Sequence, residues 1–169
     1  VEATKSIDGR SLVPFLEDLN QETFRVTGLT AGAYALKIDG DAVGRYDAAT
    51  LAKGVNLAEN HRTPQYRQAA KVAAMNMQRD NLSCKLRGMA LVDAKNLGRF
   101  KGDKTDMAQV KAFFDKTLAG MEGKTWHGFY KTQFENYLKD KPRQDEIEAE
   151  IAGLAKELYR IDQPRPHRY

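Results

Sequence analysis

One cysteine, three serines and three histidines are all that this 169-residue chain offers of the side chains that most often serve as nucleophiles, bases and soft metal ligands. Cys84 has no second thiol to pair with, which excludes an internal disulfide and with it a small stapled scaffold. No apolar run approaches the roughly 20 residues that a membrane-spanning helix needs. Charged or polar side chains interrupt every candidate stretch, so no membrane partner is expected. Charge of a single sign is also lacking. Lys and Arg number 27 against 23 Asp and Glu, a net +4 from two nearly balanced populations, and nucleic acid is not the expected partner. What is present is the composition of a folded chain, 41% hydrophobic and 30% charged, far from that of a disordered segment. The length suits one domain, or a small domain with a helical extension. The chain begins VEATKSIDGR, with neither an initiator Met nor a charged-then-apolar leader. The expectation is a processed or truncated chain whose N-terminal neighbour is missing.

The hydrophobic pattern predicts an α+β fold, a small antiparallel β-meander followed by about three to four helices. Residues 1–20 read as a connector in which Leu12, Val13, Phe15, Leu16 and Leu19 gather around Pro14 without a clear period, ready to pack on that neighbour. Residues 21–62 carry the strand signals. Phe24 and Val26 alternate with Thr23 and Arg25, then Tyr34, Leu36 and Ile38 alternate with Ala33, Ala35 and Lys37. Asp39-Gly40 suits the positive φ values of a tight hairpin, and Ala42 to Tyr46 would complete the meander. Asp47 is a good N-cap for a short helix over 48–53, Gly54 suits its far end, and 55–62 reads as a loop.

Residues 63–169 read as helical. Thr63-Pro64 starts the first helix, since Thr accepts from orphan N–H groups and Pro at the first position gives up no hydrogen bond. Tyr66, Ala69, Ala70, Ala73 and Met77 continue it, the pattern extends toward Leu97, and Gly88 marks an expected break. Asp106 caps a second helix bearing Met107, Val110, Phe114 and Leu118. An aromatic stripe of Trp126, Phe129, Tyr130, Phe134 and Tyr137 marks a third, and Ile147, Ile151, Leu154 and Leu158 mark a fourth. The tail DQPRPHRY cannot continue that helix through Pro164 and Pro166.

None of these residues composes a recognisable catalytic or metal motif. Ser6, Ser11 and Ser83 lack the flanking glycines of a nucleophile elbow. Cys84, inside an apparent helix, reads as a buried structural thiol rather than a reactive one. His61, His127 and His167 lie in separate segments without zinc-ligand spacing. His127 beside Trp126 suits packing, and His61 in the AENHRT loop can be a binding group or simply solvated. Asp145, Glu146, Glu148 and Glu150 occupy the first turns of a helix, where its dipole favours negative charge. From Arg62 to Arg99 eight basic residues face Asp80 and Asp93, yet Arg67, Lys71 and Lys85 share one side while Arg79, Arg87 and Lys95 point elsewhere. Gly102-Asp103-Lys104 lacks the frame of a phosphate loop. No catalytic residue, cofactor ligand or metal ligand is assigned.

The run FRVTGLTAGAYALKIDG (24–40), AATLAKGVNLA (48–58), Thr63-Pro64 with Gln68-Ala69, and the closing QPRPHRY (163–169) resemble a segment of bacterial SGNH/GDSL-type hydrolases that follows their catalytic domain. The resemblance reaches from about residue 12 to the end, the middle helices matching in character only. It implies an α/β/α core elsewhere in the polypeptide, with a GDS-type serine, an oxyanion hole and a DxxH pair acting on an ester. Those blocks do not occur in this chain. Gly40-Asp41 precedes Ala42, Gly102-Asp103 precedes Lys104, Glu59 before His61 has the wrong residue and spacing, and Asn56 belongs to the later segment. The resemblance therefore implies a non-catalytic C-terminal region of a lipase- or esterase-like enzyme, a carbohydrate esterase or deacetylase as a whole. Its partner would be the catalytic domain of the same polypeptide, its substrate an acylated carbohydrate, and its location periplasmic or secreted. The rival expectation is a free-standing protein-interaction module in which the meander supports docking helices.

Overall fold

A computed structural model describes residues 14–169; the expected connector residues Leu12 and Val13, and Ser6 and Ser11, lie outside them. The fold is α+β. Its elements are α1 (Phe15–Asp18), β1 (Thr23–Phe24), β2 (Ala33–Ile38), β3 (Asp41–Asp47), α2 (Ala48–Lys53) and β4 (Val55–Asn56). After these come α3 (Pro64–Lys95), α4 (Met107–Ala119), α5 (His127–Asp140) and α6 (Gln144–Ile161), with 3-10 turns at Leu97–Arg99 and Lys141–Arg143. The chain forms two compact units. One takes the described residues up to Ala74 together with Leu158–Tyr169, the other Met75–Glu157.

In the first unit β2 and β3 form the expected hairpin. Asp39 and Gly40 both have positive φ, 53° and 91°, as a two-residue turn matching the strand twist requires. Leu36 faces Gly44 and Lys37 faces Ala42, leaving Val43 as an extra residue on β3. That bulge turns Val43 into a core with Leu36, Ile38 and Leu57, against which Phe24, Tyr46 and Val55 pack. The expected three-stranded meander is not formed. β1 pairs instead with β4, Thr23 opposite Asn56 and Phe24 opposite Val55, giving two separate two-stranded sheets. β1 also stops at Phe24, because the Val26 amide donates to the Leu51 carbonyl at the end of the neighbouring helix turn.

Asn56 explains why a segment read as a loop becomes a strand. Its Oδ1 accepts from the amides of Glu22 (2.9 Å) and Ala58 (3.1 Å), and its Nδ2 donates to the Asn20 carbonyl (2.9 Å). One amide side chain thus stitches the two sides of the pairing. The short α2 follows its sequence signals: Asp47 accepts from the Thr50 amide, and Gly54 ends the helix at a φ of 104°. Thr63, fully buried, accepts from the Tyr66 amide with Pro64 at the first helical position, as expected.

The second unit is a helical cluster. Met89 and Val92 of α3, Leu97, Val110 and Phe114 of α4, Phe134 and Tyr137 of α5, and Ile147 of α6 close its core. Phe114 and Phe134 stack 4.0 Å apart, and Tyr137 meets Phe114 edge-on at 5.6 Å. The expected break at Gly88 does not occur, for α3 runs unbroken from 64 to 95. A helical glycine costs about 1 kcal/mol relative to alanine, and burial of Met89 and Val92 in the same stretch outweighs it. Asp106 caps α4 with bonds from the amides of Ala108 and Gln109. No helix among the described residues is long and apolar enough to cross a membrane.

Candidate functional site

The residues singled out in the sequence do not converge. Ser83 donates to the carbonyl of Arg79 one helical turn back (2.9 Å), a local bond that occupies the hydroxyl. Cys84 is exposed, not buried as the sequence suggested, with an Nη of Arg87 2.8 Å from its sulfur. The reason is the phase of α3: Met89 and Val92 point to the core, and position 84 falls on the outer face. His61 is exposed in its loop, and His127 is half-buried at the first turn of α5 beside an exposed Trp126. In the acidic stretch Glu146 pairs with Arg143 (2.9 Å) and Glu148 accepts from Gln144 (2.8 Å). Among the described residues no cluster of His, Cys, Asp and Glu is arranged to hold a metal ion. The basic run divides among separate partners, with Arg67 on Asp41, Arg87 on Asp80 and Lys85 on Asp140.

The aromatic stripe also divides. Phe134 and Tyr137 are core, whereas Trp126 is 66% and Phe129 51% exposed, with their rings edge to face at 6.0 Å. This pair is an apolar surface with a defined shape.

The arrangement of most chemical interest was not anticipated. His167, in the non-helical tail, places Nδ1 2.7 Å from Oδ2 of Asp39 in the β2–β3 turn, across 128 positions of sequence. The backbone closes the same contact twice: the Asp39 amide donates to the Arg168 carbonyl (2.8 Å), and the Arg168 amide donates to Oδ1 of Asp39 (3.0 Å). That amide bond and, after it, the His167 ring hold the Asp39 carboxyl below the usual carboxylate range. Glu22 lies in the field of the same ring; burial pushes its carboxyl up, and the charge of His167 offsets this in part. Further along, Tyr169 stacks on Phe24 at 5.1 Å and accepts from Gln65 (2.8 Å). Gln68 donates to the carbonyls of Ile161 (2.5 Å) and Gln163 (2.9 Å). The tail is thereby tied to the hairpin, to β1 and to the start of α3.

An aspartate orienting a histidine is two-thirds of a hydrolytic triad. Among the described residues the only serine is Ser83, which belongs to the helical unit. The Asp39–His167 pair and the two backbone bonds beside it latch the tail to the hairpin. Sequence reading missed it because neither residue carries a local signal for a partner so far away; the Asp-Gly turn and the Pro-flanked histidine were visible only separately.

Beside the latch lies a cleft of about 290 Å3 whose rim carries Arg67, Lys71, Arg160, Arg165 and His167. A second cleft, of about 360 Å3, lies in the helical unit among Lys85, Gln133, Asn136, Lys139 and Asp140.

No family model matches the chain, and no curated protein matches it. Among solved structures the chain is similar to BT4096, a gut microbial diltiazem-metabolizing enzyme, at 31% sequence identity and a TM-score of 0.69. The match covers 94% of this chain and 35% of that one. The chain thus spans about a third of the enzyme it resembles.

Proposed function

We propose that this chain is the non-catalytic C-terminal region of an SGNH/GDSL-type ester hydrolase, exported to the periplasm or beyond, and that it works beside the catalytic domain of the same polypeptide. The observation that carries the reading is the lopsided match, nearly all of this chain against about a third of a larger enzyme. A chain that corresponds to one portion of an enzyme is expected to serve that enzyme. The QPRPHRY ending also finds a physical role in this reading, since it locks the first unit through Asp39 and Phe24.

The work of such a region is to cover the catalytic domain and shape the approach of an acylated substrate, with a carbohydrate as the expected class. The exposed Trp126–Phe129 pair suits either task, because aromatic faces bury apolar area at low entropic cost and stack on sugar rings. A free-standing interaction module is the second reading, and the same exposed pair would then be its docking surface.

Two measurements decide. The intact mass of the native gene product, captured from its source, is expected well above 19.0 kDa; a mass near that value overturns the reading in favour of the module. The isolated 169-residue chain is expected to hydrolyse neither a simple acetyl ester nor diltiazem above buffer. Turnover by the isolated chain would equally overturn it.

A further inference from the structure

We infer that the cleft beside the C-terminal latch is a binding site for a small molecule bearing an anionic oxygen ester, a phosphate or a sulfate, on a body about the size of one sugar ring. This does not depend on the ester-hydrolase reading. Arg67 and Lys71 lie one turn apart on α3, Arg160 ends α6, and Arg165 and His167 flank Pro166 in the tail, so three separate segments bring cations to one concavity. None of the residues lining it is acidic. Some of this charge is already met. Arg67 is paired with Asp41, His167 with Asp39, and Arg160 also has a partner. Lys71 and Arg165 are different: among the described residues neither has an ion-pair or hydrogen-bond partner.

Two unpartnered cations are ordinary on an open surface, where each is solvated. Here they share a cleft of about 290 Å3, near the lower end of small-ligand sites. Pro64 and the buried Ile161 contribute apolar side chains to its lining. A low-dielectric wall strengthens the attraction of a cation pair for an oxyanion relative to open water. The site is also built in advance. Gln68 pins the end of α6 and the start of the tail, while Asp39 and Gln65 hold residues 167–169. Arg165 lies between these two anchors, so the ligand need not order the tail. The volume admits a single ring with its anionic group and excludes a long polymer lying wholly within the cleft.

The test is titration of the 169-residue chain, labelled for amide NMR, with glucose 6-phosphate, glucose 6-sulfate and glucose. Saturable binding of at least one charged ester is expected, with shifts confined to residues 64–71 and 160–168, and no saturable shift with glucose. The relative affinity of the two esters identifies which oxyanion the cleft prefers. Lys71→Glu with Arg165→Glu, both exposed and removed from the core, should weaken binding at least about tenfold while leaving the thermal midpoint of the free chain unchanged. Raising the salt from about 0.05 to 0.3 M should weaken it as well. Equal affinity in the double variant, equal binding of glucose, or shifts scattered over the whole surface without saturation would each overturn the assignment. A loss of the thermal midpoint in the double variant is handled by Lys71→Gln with Arg165→Gln, which removes charge without reversing it and carries the same expectation.

Discussion

The two units hold themselves together by different means. The helical unit relies on aromatic packing, with Phe114, Phe134 and Tyr137 each no more than 1% exposed and Phe114 in contact with both of the others. The first unit buries aliphatic side chains, Leu36, Ile38, Val43 and Leu57 in one cluster and Leu51, Leu158 and Ile161 besides, and much of its definition comes from polar bonds between residues far apart in sequence: Asn56 to 20 and 22, Asp39 to 167 and 168, Gln65 to 169. Apolar burial is strong and indifferent to salt and pH, whereas exposed polar latches are individually weak and sensitive to both. Function that needs adjustment is more easily built on the second kind, and the basic cleft lies in that unit.

Removing core volume should give the largest effects. Phe134→Ala is expected to cost about 4 kcal/mol and Ile38→Ala about 3 kcal/mol, since each empties a fully buried site. Urea unfolding followed by region-resolved amide exchange would separate them. A smaller loss from Phe134→Ala than from Ile38→Ala would reverse the contrast between the units. Next comes the one buried polar contact of the aromatic core. The Tyr137 hydroxyl donates to Asp93 at 2.7 Å, and burial together with that carboxylate pushes its ionisation up, so it stays a donor through neutral and mildly alkaline pH. Tyr137→Phe should cost about 1–2 kcal/mol, because Asp93 keeps only Lys141 as partner.

The latch should show its character in pH. Asp39 is held below the usual carboxylate range, so its contribution is fully present above the ordinary aspartate pKa and is lost as pH falls through the lowered native value. Glu22, pushed up by burial, works in the opposite sense and favours the native state more at low pH. Protection of the Asp39 and Arg168 amides, taken relative to their intrinsic exchange rates at each pH, should fall on acidification, and Asp39→Asn should flatten that dependence while leaving helical-unit protection unchanged. Unchanged acid sensitivity in Asp39→Asn would show that the latch depends on another group. At the bottom of the range, Lys111→Ala removes an exposed i,i+4 pair with Asp115 and should change stability by less than about 0.5 kcal/mol in the same urea assay.

Where a residue's conformation is settled by its near neighbours, it was readable from the chain. The Asp39-Gly40 turn, the Asp47 and Asp106 caps, the Thr63-Pro64 start and the inward Leu36 and Ile38 all follow from local chemistry, and the structure has them. Errors arose where distant groups decide. β1 is expected in the meander beside β2, whereas it pairs with β4, a segment read as a loop that the Asn56 side chain ties to residues 20 and 22. Gly88 looked like a break until tertiary burial carried α3 through it. Cys84 looked buried because the sequence does not reveal which face of a long, weakly patterned helix meets the core. The same limit applied to the basic cleft: Arg67 and Lys71 share a helix face by simple spacing, but the approach of Arg160, Arg165 and His167 depends on the fold of the whole first unit.

The first unit is assembled from both ends of the described chain, with residues 75–157 inserted between its parts. A ribosome releases those parts in order, roughly 5–20 residues per second. The hairpin and the short sheets can collapse early, yet the partners of Asp39, Gln65 and Phe24 are made only after residues 75–157. For the several seconds in which 75–157 emerge, the half-built unit must wait with the apolar ring of Phe24 and the start of α3 uncovered. The inserted helices, whose contacts are closer in sequence, have the chance to finish first. The helical cluster can therefore mature before the unit that flanks it in sequence, and a stall or cut between 163 and 169 would leave a completed helical cluster attached to a unit that has never closed.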